Sequence, residues 1–213
     1  MVIPTVRTKE TPNKAKAGWR VLSSAIVTVL LVGACAQPEL PKDNFYRLQA
    51  AQPSSKGKVL FSGGIDVERF VADGLTASRP IVYSESENPN QLREYHYHFW
   101  TEPPVVMLRD QLVDYLRQAG IADRIVTPEL RTNTRYTLIG KIKRLEKVVG
   151  SPPRAVLELE LALLEDKTGL LIHLGSYRVE KPAASASVGD AVVALNQALG
   201  EIYSRFVADL RAR

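Results

Sequence analysis

The chain has 213 residues, of which 45% are hydrophobic and 24% charged, with 13 Gly and 13 Pro; this fits one folded domain with appendages and excludes disorder and collagen. One Cys and three His exclude an internal disulfide framework and a multi-thiolate metal site, and leave little material for metal chemistry. The net charge of +5 would suit nucleic acid, but Arg7, Lys9, Lys14, Lys16 and Arg20 against Glu10 give residues 1–34 nearly all of it, so no nucleic-acid partner is expected.

Arg20 closes the basic stretch and is followed by the uncharged run Val21 to Val32, then by Gly33, Ala34 and Cys35. Twelve residues make a helix of about 18 Å, short of the roughly 30 Å hydrocarbon core. Residues 1–34 therefore read as a signal peptide that is cleaved. A buried core helix would not need Lys and Arg before the run and small residues after it. Val32-Gly33-Ala34-Cys35 resembles the bacterial lipobox, an aliphatic residue and two small ones before the cysteine that receives lipid. The resemblance implies a diacylglyceryl thioether and an N-acyl chain such as palmitate on Cys35, with no other cofactor. Two or three acyl chains anchor stably where one does not, at about 0.8 kcal/mol per buried CH₂. Neither Ala36 nor Gln37 is the aspartate that holds enterobacterial lipoproteins at the inner membrane, so the periplasmic face of the outer membrane is expected.

Residues 35–43 form the lipidated cysteine and a tether, in which Pro38 and Pro41 favour an extended Ala36 to Lys42 of about 20 Å. The folded domain is expected over residues 44–213. Composition and periodicity predict strands at Phe45–Leu48, Lys58–Ile65, Pro80–Tyr83 and Leu92–Phe99, a loop at Pro53–Lys58 and a turn at Glu85–Asn90. A short helix is allowed around Val67–Ala72. Pro103-Pro104 opens a helix in which Val105, Leu108, Leu112, Tyr115, Leu116 and Ala119 keep helical spacing up to Gly120. Strands follow at Tyr136–Lys147, Ala155–Glu165 and Leu170–Glu180. Leu157, Leu159, Leu161 and Leu163 alternate with Glu158 and Glu160, one buried face against one wet face. Asp166-Lys167-Thr168-Gly169 supplies a hairpin turn that pairs the last two strands antiparallel. After a loop at Ala183–Ser187, the final helix places Val188, Val192, Leu195, Leu199, Ile202, Phe206 and Leu210 on one stripe. Ser187 and Asp190 read as its capping box, with Glu201–Arg205 and Asp209–Arg213 as i,i+4 pairs. The expected fold class is α+β: a mixed, mainly antiparallel sheet with both long helices packed on one face.

Phe45-Tyr46-Arg47-Leu48, Arg79-Pro80-Ile81-Val82-Tyr83, Glu94-Tyr95-His96-Tyr97 and Trp100-Thr101-Glu102-Pro103-Pro104 stand in order behind the lipobox, and Ala194-Leu195-Asn196-Gln197-Ala198-Leu199 lies in the last helix. In that order they resemble the ABC-type transport auxiliary lipoprotein family, which includes the lipoprotein of the paraquat-inducible system, over nearly all of residues 44–213. The resemblance implies a membrane-anchored periplasmic subunit of an intermembrane lipid transport system. It would work beside an ATPase, a permease and a mammalian-cell-entry (MCE) protein as a docking or ring-forming component, which leaves a homo-oligomer open, and not as an enzyme. The residues agree with that division of labour. Arg135 stands where the first glycine of GxxxxGK(S/T) belongs and Ile142 follows Gly140-Lys141, so ATP hydrolysis falls to another subunit. Neither GxGxxG nor GxSxG occurs. The alternative is a lipoprotein that regulates another envelope machine, a peptidoglycan synthase or an outer-membrane assembly complex, for which a small tethered α+β domain would also serve. A periplasmic hydrolase is a third reading, with no constellation to carry it.

Four groups of residues invite sharper readings. His96 and His98 share a strand face and would make half a metal site; a polar sheet face accounts for them better, since His173 is far along the chain. Glu158 and Glu160 could act as an acid and base, but the leucines between them explain the pattern as a solvated face. Tyr95, Tyr97 and Phe99 share the other face of the His96 strand, with Trp100 at its end. Tyr95, Tyr97 and Trp100 are therefore candidates for contact with a partner or lipid, weighed against core packing under the first helix, which is favoured. Arg69, Arg79 and Arg93 could meet headgroups but form no stripe in the sequence.

Overall fold

In the computed structural model, which describes residues 41–213, three long strands carry the sheet: β7 (Tyr136–Val149), β8 (Arg154–Glu165) and β9 (Leu170–Pro182). They form an antiparallel meander whose register shifts once in each ladder, at Ile142/Arg144 and at Leu163/Leu164. Leu157, Leu159, Leu161 and Leu163 are fully buried, while Glu158 and Glu160 between them are part-exposed, as the alternation requires. Gly169 closes the β8–β9 turn at φ +68°, a conformation that strains any side chain bearing a Cβ.

The other edge of β7 is divided among three short partners. β2 (Ile65–Val67) pairs with its start, β3 (Val71–Ala72) with its middle and β4 (Pro80–Glu85) with its end, all parallel. β6 (Ile125–Val126) extends β2, β5 (Asn88–Trp100) turns back on β4, and β1 (Asn44–Tyr46) lies parallel to β5. Five of the eight strand pairs among the described residues are therefore parallel, which corrects the expected mainly antiparallel sheet. The antiparallel pairs are local hairpins announced by their turns; the parallel ones join strands of two to six residues through crossovers that leave no periodic trace. The expected strand over Lys58–Ile65 is also shortened. Leu60 and Phe61 bond to the Ile121 carbonyl at 2.8 and 3.1 Å, and the strand begins only at Ile65.

The short helix allowed near Val67–Ala72 gives way to β2 and β3. The Glu68 N–H donates to the Leu138 carbonyl at 2.9 Å, and Phe70, 1% exposed, lies over Gly140, where an added Cβ would overlap its ring. Bonds to β7 and burial of one aromatic outweigh local helical bonds in so short a segment.

Helix α1 (Pro104–Ala119) buries Met107, Leu108, Leu112, Tyr115, Leu116 and Ala119. Gly120 ends it in the left-handed region (φ 63°, ψ 35°), its N–H returning to the Leu116 carbonyl at 3.0 Å. Helix α2 (Val188–Arg211) buries every residue of the expected stripe. Leu195, Leu199, Ile202 and Phe206 are at most 1% exposed, each contributing about 1.5–3 kcal/mol by burial. Ser187 caps α2 by accepting from the Asp190 N–H at 3.0 Å, but the Asp190 carboxylate takes the Ser185 hydroxyl, so the box is one-sided. Glu201 pairs with Arg205 as expected. Asp209 does not pair with Arg213; it accepts the Tyr177 hydroxyl at 2.7 Å, because a largely buried phenol needs an acceptor. Phe206 sets α2 against β9, with ring centroids 5.6 Å from His173 and 6.1 Å from Tyr177. No helix among the described residues is long and apolar enough to cross a membrane.

Candidate interaction site

The motif-bearing residues of β5 fall on a large bulge. Pro80 of β4 pairs with Phe99 while Val82, two residues on, pairs with Glu94, so residues 95–98 bow out of register. The bulge breaks the alternation assumed from sequence. Tyr95 does not share a face with Tyr97 and Phe99: its ring meets His98, on the inner side, at 5.3 Å, edge to face.

The inner side is a part-buried aromatic cluster around one buried amine. Tyr46 and His98 Nδ1 share a hydrogen bond of 2.8 Å, and the Tyr83 and Tyr95 rings lie tilted with centroids 4.4 Å apart. Lys147, 4% exposed, donates to the Tyr95 hydroxyl at 3.0 Å and to the Ala186 carbonyl in the loop before α2. Its donors go to neutral oxygens and not to a carboxylate, and burial pulls the amine below its ordinary range. Burial pushes the Tyr95 phenol up, with the Tyr83 hydroxyl adding to it, and lowers His98, with the Lys147 charge adding to it. The cluster therefore clamps β1, β4, β5, β7 and the α2 entry loop together.

The outer side is different. Phe45 of β1 is 57% and Tyr97 44% exposed, and the Phe45 and Phe99 rings lie 5.7 Å apart. The exposed Arg79 sets its guanidinium 5.8 Å from the Phe45 centroid and donates to the Trp100 carbonyl at 3.1 Å. Trp100 itself is 1% exposed in the core, so it presents no surface to a partner. Of the three aromatic candidates, only Tyr97 stands open to solvent; Tyr95 is part-buried beside Lys147. The incoming chain is fastened here, since Asn44 Nδ2 donates to the Lys42 and Tyr97 carbonyls at 3.0 and 3.3 Å.

The remaining candidates are dispersed. His96 is exposed next to Tyr97, whereas His173 is buried on β9, bonded to the Tyr177 hydroxyl at 2.8 Å. No group of three or more His, Cys, Asp and Glu among the described residues could hold a metal. Glu158 faces Arg178 at 3.8 Å and Glu160 is paired in register with Lys141, both on the outer sheet face. Arg93 pairs with Glu85 at 3.1 Å. Val32, Gly33, Ala34 and Cys35 lie outside the described residues. Sequence reasoning missed Phe45, Arg79 as its partner, and Lys147. Lys147 was findable: it stands two residues from Leu145 on the inward parity of β7, where a lysine is out of place.

A family model described as ABC-type transport auxiliary lipoprotein component matches residues 46–206. Protein XCC0632 from Xanthomonas campestris, of family DUF330, shares the fold with a TM-score of 0.66 at 22% identity, over 77% of this chain and 92% of its own. A crystal structure of an uncharacterized protein gives a TM-score of 0.63 at 18% identity, over 80% of this chain and 99% of its own. No curated protein matches the chain.

Proposed function

Because the chain belongs to the family of ABC-type transport auxiliary lipoprotein components, we propose that it is the outer-membrane-anchored periplasmic subunit of an MCE-type intermembrane lipid transport system. On this reading residues 1–34 are removed, Cys35 carries the diacylglyceryl and N-acyl chains, residues 35–43 form the lipidated cysteine and tether, and the folded domain works beside the MCE protein, the permease and the ATPase as a docking or assembly component, alone or as a homo-oligomer. The observation that carries the reading is the coincidence of the two signals: a family match that spans the folded domain almost end to end, standing directly behind Val32-Gly33-Ala34-Cys35.

The side chains of the candidate site support a binding role rather than turnover. The inner cluster spends its phenols, imidazole and amine on one another, and the residues left over at the surface are aromatic and cationic, which suits contact. The domain would act by being held in place and recognised. Affinity capture from detergent-solubilised envelopes tests this: MCE and permease subunits should copurify. Recovery of peptidoglycan-synthase or outer-membrane-assembly subunits in their place would discard the transport reading.

A further inference from the structure

On the reading that Cys35 is lipidated, we infer that the outer aromatic patch of Phe45, Tyr97 and Phe99, with Arg79 over it, rests in the headgroup layer of the bilayer that holds the anchor. Three observations lead there.

The first is where the chain enters. Residues 41–43 run directly into β1, and Asn44 bonds to the Tyr97 carbonyl at 3.3 Å, so the end of the tether and the patch are one place. Ten peptide units separate Cys35 from Phe45, a reach of at most about 36 Å. So short a link keeps the patch at an effective concentration on the order of millimolar relative to the surface, where even a weak preference for lipid is realised.

The second is the chemistry of the patch. Two phenylalanine rings 5.7 Å apart supply apolar area, Tyr97 adds a ring with a polar tip, and an exposed guanidinium lies 5.8 Å from the Phe45 centroid. Aromatic rings favour the water–lipid interface, and a flanking arginine reaches phosphate while its stem stays among apolar groups. Lys42, exposed on the tether side, adds a second cation toward an anionic surface.

The third is contrast. Leu170, Leu171 and Leu174 on β9 are 58%, 49% and 55% exposed, yet they lie at the opposite end of the strand order from β1, away from the entry of the tether. Exposed apolar area alone does not mark the lipid side; the patch at the tether does.

Mature, acylated protein in phosphatidylethanolamine–phosphatidylglycerol vesicles carrying dibrominated acyl chains gives the test. Tyr97→Trp places a fluorophore in the patch and Leu174→Trp places one on β9, both at exposed positions on a background that retains buried Trp100. The expected result is a larger loss of emission from Y97W than from L174W. Equal loss, or none from either, while intact mass confirms acylated Cys35, overturns the docked patch, leaves the anchor standing, and turns the patch over to a protein partner. A mass without fatty acid removes the anchor reading and this inference with it.

Discussion

The hydroxyl of Tyr203 donates to the main-chain oxygen of Leu108 at 2.6 Å, so a single side chain of α2 bonds to the backbone of α1 inside a fully buried contact. The Tyr115 ring meets Tyr203 at 5.7 Å, edge to face, beside it. Tyr203→Phe keeps the ring and removes the bond, while Leu108 O retains its helical partner. Urea unfolding should show a loss of about 1–2 kcal/mol with unchanged m-value.

Gly140 has no room for a side chain beneath Phe70. Gly140→Ala is expected to destabilise by about 1–3 kcal/mol, since the ring must leave its position in a packed core. Phe70→Leu added to it should recover part of the loss, and a thermal-melt double-mutant cycle reads that coupling. Strict additivity would separate the two sites.

Lys147 joins β7 to the Ala186 carbonyl. Lys147→Met keeps the stem and removes the donor. Hydrogen exchange in residues 183–187 should accelerate, while exchange in β8 stays slow. An unchanged 183–187 segment would mean that the bonds of Ala183 to Pro153 and of Ser185 and Ser187 to Asp190 hold the loop without the amine.

His173 must donate from Nε2 to the Tyr177 oxygen, because the Tyr177 proton goes to Asp209. Its Nδ1 is buried without a partner, and burial, with Arg213 adding to it, lowers the imidazole pKa below the ordinary 6.5, against Asp209. A depressed folded-state value means that the unfolded chain binds the proton first. Stability is full above pH 6.5 and falls as pH drops from there toward the folded-state value. His98 has the same sign. Melting temperature should therefore drop between pH 7 and pH 5, and His173→Gln should flatten that drop without abolishing it.

If Cys35 carries the anchor as proposed, Cys35→Ser should leave the fold intact and release the protein from washed membranes into the periplasmic fraction. Circular dichroism of the released protein checks the first part and fractionation the second. A variant that stays membrane-bound would contradict the single-residue anchor.

The sequence disclosed the meander, both helices and their buried stripes, because each obeys a period set by its own neighbours: Leu157 to Leu163 by twos, Val188 to Leu210 by threes and fours. It did not disclose β2, β3 and β6, whose two or three residues pair across long stretches of chain, or the direction of those pairings. At the candidate site, the aromatic content of β5 was legible but its geometry was not. A bulge over residues 95–98 moves Tyr95 to the inner side, and a parity rule carries no sign of it. Trp100 lies in the core, as the favoured reading of core packing under the first helix has it.

The shared edge of β7 also sets an order of events. Until Tyr136–Ile142 has followed, β2 has only the two-residue β6 to pair with and β3 has no strand to join, and β4 waits for Lys147–Val149 to complete its second ladder. The N-terminal half thus remains open while the chain is being delivered, and its closure depends on a template that arrives late. A chain built this way stays threadable until Val149 has emerged.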